Sequence, residues 1–197
     1  MAKKFPNSSI TAVSNSSSQK HYIESQLKKY NYSHVTVITD NVATVSFDTQ
    51  FDRIVTVEML EHIRNYEIAF QKIASWLHDD GACFIHVFGH KTYGYIFDDA
   101  DQTSWMARHF FTGGQMPSKD LFSHFNSHLN ICDQWTVNGS HYAKTCRYWL
   151  ENMDAHRSEI RPIFKDVYGS KHKMFWIYWR LFFMACEQLF DYNNGEE

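Results

Sequence analysis

The chain has 197 residues, 44% of them hydrophobic and 17% aromatic. That is enough for a core of ordinary size, and it excludes a disordered or low-complexity chain. Its net charge of −3 and pI near 6.4 leave no basic footprint for nucleic acid. Only 8 residues are glycine, against about 14 in an average chain of this length, and the first is Gly81. No strand–GxGxxG–helix loop can therefore precede that position.

In chain order, residues 9–14 (SITAVS) and 35–39 (VTVIT) read as short strands, with a helix over 19–30 between them. Residues 52–57 (DRIVTV) predict a third strand. Tyr66, Ala69, Phe70, Ile73, Ala74 and Leu77 recur at helical spacing, and Asp79-Asp80-Gly81 is expected to end that helix. A fourth strand follows over 82–88 (ACFIHVF). Short apolar strands alternating with helices predict an α/β fold with a mostly parallel sheet, covered on both faces. Residues 91–197 hold 22 of the 33 aromatics. They predict helices over 105–111, 118–128, 141–153, 159–168 and 172–190, and a fifth strand over 131–137. The chain thus divides into a sheet-forming part (1–90) and an aromatic-rich helical cap (91–197), suited to covering a flat, apolar ligand.

Cys83, Cys132, Cys146 and Cys186 lack CxxC spacing and read as thiols of a cytoplasmic protein. Residues 1–9 contain no apolar h-region, so no signal peptide is expected. The most apolar window, 174–186, is interrupted by Arg180 and predicts a buried helix, with no membrane span.

The candidate chemistry centres on Val57-Glu-Met-Leu-Glu-His62, which leaves a strand where open α/β sheets present their ligands. On a helix, Glu58, Glu61 and His62 would share a face, giving a carboxylate pair beside an imidazole for proton transfer or cation binding. Acidic residues are also favoured at helix N-termini by the dipole alone. His124 and His128 stand four apart without the Glu of a zinc-protease helix or an evident third ligand, so no metal is expected. His86 and His90 straddle a strand end and read as pocket lining or surface. Tyr178, Trp179, Phe182 and Phe183 lie on adjacent turns and could stack on a flat amine or simply fill a core. Asp40-Asn41 follows the second strand, where such pairs either meet a nucleotide or form a turn.

The stretches VSNSSSQK (13–20), FDRIVTVEMLEHIRNY (51–66), KIASWLHDDG (72–81), GHKTYGYIF (89–97), HFFTGGQMPS (109–118), WTVNGSHYAKT (135–145), WLENMD (149–154) and YWRLFF…ACEQLFDYNNGEE (178–197) occur in a telling order. Together they resemble the coclaurine N-methyltransferase group, S-adenosylmethionine-dependent enzymes related to cyclopropane fatty-acid synthases. The resemblance runs nearly end to end. It implies a Rossmann-like class I methyltransferase sheet whose glycine-rich cofactor loop follows the first strand. Met1–Ser8 then matches the region just after that loop. The resemblance thus implies a partial methyltransferase domain over 1–197, lacking the first and last strands.

Residue by residue, the resemblance places Asn15 and Gln19 near the ribose of S-adenosyl-L-methionine and Asn41 and Val42 beside its adenine. Where the family has Asp at the position of Asn41, this chain carries its acid one residue earlier, at Asp40. Glu58, Glu61 and His62 would face the amine, with His62 the expected base oriented by a glutamate. Tyr178, Trp179 and Phe182 would line the substrate, and Cys186 would serve packing. The function implied is N-methylation of a secondary or tertiary amine of a tetrahydroisoquinoline-type alkaloid, by a cytoplasmic enzyme that could form a homodimer. Two alternatives stand beside it: a catalytically incomplete isoform or fragment, and methylene transfer to an unsaturated lipid.

Overall fold

A computed structural model of the chain describes residues 1–100 and 104–197. The chain divides into two compact units, Met1–Asp52 with Ser75–Asp80, and Arg53–Ala74 with Gly81–Glu197.

In the first unit, β1 (Ile10–Ser14) and β2 (Val35–Thr39) pair in parallel, with Ile10 opposite Val35 and Ser14 opposite Thr39. A parallel connection needs a crossover element, and α1 (Ser17–Lys29) supplies it. Ser16 caps α1 by accepting from the Gln19 amide at 3.3 Å, which satisfies one of the helix's orphan N–H groups. Val37, Val45 and Leu77 are buried. Phe47 meets Phe51 and Trp76 edge-on, each at 5.1 Å.

In chain order, β3 (Phe51–Val57) leads into a 3₁₀ turn over Leu60–His62 and then α2 (Tyr66–Trp76). β4 (Leu77–His86) pairs with β3. The expected strand 82–88 therefore starts earlier, and Asp79-Asp80-Gly81 lies inside β4 instead of ending a helix. Burial of Leu77, whose carbonyl accepts from Gln50 Nε2 at 2.8 Å, helps hold the chain extended there.

Within the second unit, Tyr66 and Phe70 of α2 stack at 5.9 Å and meet Phe122 and Phe125 edge-on. Phe122 lies within, and Phe125 just after, a short 3₁₀ turn, Leu121–His124, where a helix over 118–128 was expected. His124 instead faces Asp120 at 3.8 Å and His128 faces Glu67 at 3.3 Å. β5 (Tyr95–Ile96) and β6 (Gln115–Met116) form an antiparallel pair on either side of α3 (Trp105–His109). Residues 131–137 are not a strand: Ile131, Trp135 and Val137 are exposed, and no ladder satisfies their backbone among the described residues.

The helical part comprises α4 (Ser140–Ala155), α5 (Arg157–Tyr168) and α6 (His172–Asp191). Cys146 of α4 and Cys186 of α6 are both buried, and next to them Arg147 Nε donates to Glu187 at 2.8 Å. Asp154 and Arg180 pair at 3.1 Å across the same two helices. α6 ends in a left-handed turn at Asn193 and Asn194. Gly195 follows at φ +74°, with its carbonyl accepting from the Gly139 amide at 2.8 Å. Asn138 Nδ2 donates to Asn194 O at 2.9 Å, so the NNG turn is docked on the N-terminus of α4. No helix among the described residues is long and apolar enough to cross a membrane.

Candidate functional site

The first cluster lies at the carboxyl edge of the β1–β2 pair. Because the strands are parallel and in register, Ser14 and Thr39 end together, and the Asp40 amide donates to Ser14 O at 3.1 Å. That register brings Asn15 and Gln19 to the same edge as Asp40, Asn41 and Val42. Gln19 accepts from Ser14 Oγ at 2.6 Å, and Asn15 is exposed. The Asp40 carboxylate accepts from the Asn41 amide at 2.6 Å and from Thr44 Oγ1 at 3.2 Å. The Asn41 side chain accepts from the Ala43 amide at 2.9 Å. Asp40 and Asn41 therefore build a turn first, and one carboxylate oxygen organises it.

A second cluster is built from the ends of β3 and β4. Glu58 leaves β3 with a left-handed backbone, φ +52°. For a residue with a Cβ this conformation costs of order 1 kcal/mol or more, and such strain concentrates at functional positions. Two contacts from the end of β4 hold it. The Glu58 amide donates to His86 O at 2.9 Å, and the Glu58 carboxylate meets His86 Nδ1 at 3.0 Å. The turn after Glu58 is 3₁₀, so Glu58, Glu61 and His62 do not share an α-helical face as their spacing predicts.

Glu61 is 1% exposed, whereas His62 points to solvent. Both Glu61 carboxyl oxygens are buried without a hydrogen bond of full geometry among the described residues. Burial, reinforced by the neighbouring Glu58 carboxylate, pushes the Glu61 carboxyl up to about 7. Tyr142 of α4 belongs to the same neighbourhood: burial, then the charge of Glu58, pushes its phenol up to about 12. Spacing did not reveal Tyr142. The signal for His86 was its place at a strand end beside the end of β3.

The glycine-rich loop of residues 112–117 closes over the Glu61 turn. Gly114 lies so near that a Cβ there would stand 3.2 Å from Glu61 O. Arg64 Nε donates to Gly113 O at 3.1 Å, and Gln115 Nε2 donates to Ile63 O. Phe111 leads from this loop to an aromatic wall. It contacts Phe97 at 5.1 Å and Phe182 at 5.6 Å. Phe182 stacks on Phe110 at 4.2 Å, and Tyr178 meets Trp105 and His109 at 5.2 and 4.8 Å. Trp179 touches Phe110 at 5.1 Å but donates its indole N–H to Tyr168 OH at 3.0 Å, towards α5. The structure thus joins Glu61 to Phe182 through the loop and Phe111, with Glu58 beside Glu61 and Tyr178 one turn before Phe182 on α6, and leaves His62 at the surface. Cys186 packs beside Cys146, and this contact together with burial drives its thiol far up, away from ionisation.

The fold is that of a Rossmann-like class I methyltransferase. A solved coclaurine N-methyltransferase, bound to N-methylheliamine and SAH, superposes with a TM-score of 0.92 at 34% identity; all of this chain and 58% of that one are covered. The O-methyltransferase of a Brevibacillus brevis trans-AT PKS multienzyme, in complex with S-adenosyl-L-homocysteine, shares the fold, with a TM-score of 0.59 at 16% identity. The mycolic acid cyclopropane synthetase family model matches residues 1–196, and the chain belongs to that family. It is 37% identical to (S)-coclaurine N-methyltransferase of Thalictrum flavum subsp. glaucum, over all of this chain and 56% of that protein. It is 33% identical to the Papaver somniferum enzyme of the same name, again over the whole chain and 57% of that protein. The cyclopropane-fatty-acyl-phospholipid synthase of Escherichia coli K12 is 28% identical over 66% of this chain and 32% of that protein. The chain thus spans little more than half the length of the plant relatives.

Proposed function

We propose that this chain carries the amine-binding and proton-accepting part of an S-adenosyl-L-methionine-dependent N-methyltransferase acting on a tetrahydroisoquinoline-type alkaloid. The observation that carries the reading is Glu61, a buried carboxyl raised to about 7, beside Glu58 and joined to an aromatic wall by the 112–117 loop. A secondary aliphatic amine is mostly protonated at neutral pH and must shed a proton before its lone pair can attack. A carboxyl that titrates near 7 can take that proton, because efficiency peaks when the base titrates near the working pH. Glu58 attracts the ammonium, and Glu61 accepts its proton. Tyr178, Phe182 and Phe110 hold the flat ring system, so that much of the rate comes from orientation. His62, expected as the base, is assigned to the rim of the site.

The residues at the β1–β2 edge suit the ribose and adenine of the cofactor. Asn15 and Gln19 present polar side chains there, and the Asp40-Asn41 turn fixes the strand end. When bound, the cofactor supplies an electrophilic methyl group. With cysteines as thiols, the reading places the enzyme in the cytoplasm.

The test is methyl transfer followed by mass, with labelled cofactor and either 1,2,3,4-tetrahydroisoquinoline or an unsaturated phospholipid. A gain of one methyl on the amine is expected, and a methylene added to the lipid instead would replace this reading. A second reading is that the chain alone does not complete the cofactor site, since none of its glycines precedes Gly81. Calorimetry with S-adenosyl-L-methionine decides this: micromolar binding by residues 1–197 refutes the second reading.

A further inference from the structure

Glu58 is the least comfortable residue of the site, with a carboxylate beside a buried carboxyl and a left-handed backbone. Two bonds hold it there, and both come from one residue at the end of β4. His86 O accepts from the Glu58 amide at 2.9 Å, and His86 Nδ1 meets Glu58 Oε1 at 3.0 Å. The backbone bond fixes the turn. The ring bond fixes the direction of the carboxylate, which would otherwise be free to rotate away from Glu61, a neighbour it repels when both are ionised. The side chains of His86 and Glu58 are 45% and 32% exposed, so the ring is neither core filling nor a fully solvated surface group. Among the described residues, the ionisable groups around the two carboxyls include Tyr66, which feels the charge of Glu61, and Tyr142, with Cys146 and Cys186 beyond it.

We propose that His86 is the positioning residue of this site: its ring holds the Glu58 carboxylate beside Glu61, so that the two carboxyls act on the substrate amine as a pair. The proposal rests on the amine-methylating reading above. It adds a residue whose ring need not touch substrate or cofactor. Asparagine is the informative replacement, because its side-chain N–H₂ can stand where Nδ1 stands, whereas alanine offers no donor.

The experiment has two parts, both on the full chain. In the first, a double-mutant cycle of Glu58→Gln and His86→Ala is read by urea unfolding without substrate. A coupling of about two- to fivefold in the unfolding constant is expected for a pair of this exposure. Additive effects would overturn the proposal. In the second, methylation of 1,2,3,4-tetrahydroisoquinoline is measured for wild type, His86→Ala and His86→Asn. His86→Ala should lower kcat about tenfold while KM for the amine stays within about twofold, since orientation is lost and uniform binding is not. His86→Asn should recover to within about threefold of wild type. An active wild type with His86→Ala unimpaired, or with His86→Asn as slow as His86→Ala, overturns the positioning role. An inert wild type that binds S-adenosyl-L-methionine overturns the amine reading and the catalytic half of the proposal with it, whereas one that does not bind it supports the second reading above. The cycle then still decides whether the ring holds Glu58.

Discussion

Replacing Glu61 by Gln should make the protein more stable at alkaline pH and change how its stability depends on pH. Glu61 is 1% exposed and, among the described residues, has no full hydrogen bond to either oxygen. Its carboxyl is raised from 4.5 to about 7, chiefly by burial. At about 1.4 kcal/mol per tenfold in the proton equilibrium, that amounts to about 3 kcal/mol between neutral and ionised forms. The sign follows from proton counting. Between pH 4.5 and about 7 the folded chain keeps this proton and the unfolded chain has lost it. Stability from this group is therefore full below pH 4.5, falls as pH rises through the window, and stays about 3 kcal/mol lower above it. Glu61→Gln is isosteric and cannot ionise, so it removes that fall. Urea unfolding of both proteins at about pH 4.5, 6 and 8 measures it. The difference in stability, variant minus wild type, should grow by about 3 kcal/mol across the range. Titrating groups distant from Glu61 cancel in that difference, whereas its neighbour Glu58 contributes to it. Parallel profiles would show that Glu61 is ionised and paired in the fold, and the proposed proton acceptor would fail with it. The same variant should abolish most methyl transfer.

Three further outcomes follow from packing and backbone geometry. Gly195→Ala puts a Cβ 2.5 Å from the Ser140 amide at φ +74°; a loss of about 3 kcal/mol is expected, seen as a Tm lower by about 6–12 °C. An unchanged Tm would mean that the NNG turn does not dock on α4. Tyr66→Phe removes the buried donor to Leu60 O, a 3.1 Å bond, and should cost about 1–2 kcal/mol in urea unfolding without altering the fold's circular dichroism. Phe182→Ala removes the ring stacked on Phe110 at 4.2 Å. It should destabilise by about 2–4 kcal/mol and raise KM for an aromatic amine while sparing cofactor affinity; an equal loss of both affinities would move Phe182 out of the substrate wall.

Much of the helical part was legible because its signal is local. The apolar periodicity of 141–153, 159–168 and 172–190 predicts α4, α5 and α6 to within three residues at each end. Strand β2 is legible from VTVIT for the same reason, a β-branched run bounded by polar residues. Segments 118–128 and 131–137 failed where local pattern and tertiary context disagree. Phe122 and Phe125 are three apart, as in a helix, but they serve Tyr66 and Phe70 across a single 3₁₀ turn. Residues 131–137 have β propensity but no strand beside them among the described residues, and a strand without a ladder is not a strand.

The sequence by itself determined the residue types that chemistry needs and their order: two glutamates after a strand, a glycine pair before a proline, an aromatic helix and a terminal NNG. It also determined the family, because several unrelated motifs in one order are specific where each alone is not. Tertiary structure decided which of those residues meet. Glu61 turned inward and His62 outward because a 3₁₀ turn, not an α-helix, follows Glu58. His86 joined Glu58 because β3 and β4 end side by side, a pairing between residues 28 positions apart. Spacing reports neighbours along one element. Burial, and the proton affinity it sets, depends on what other elements bring to the same point.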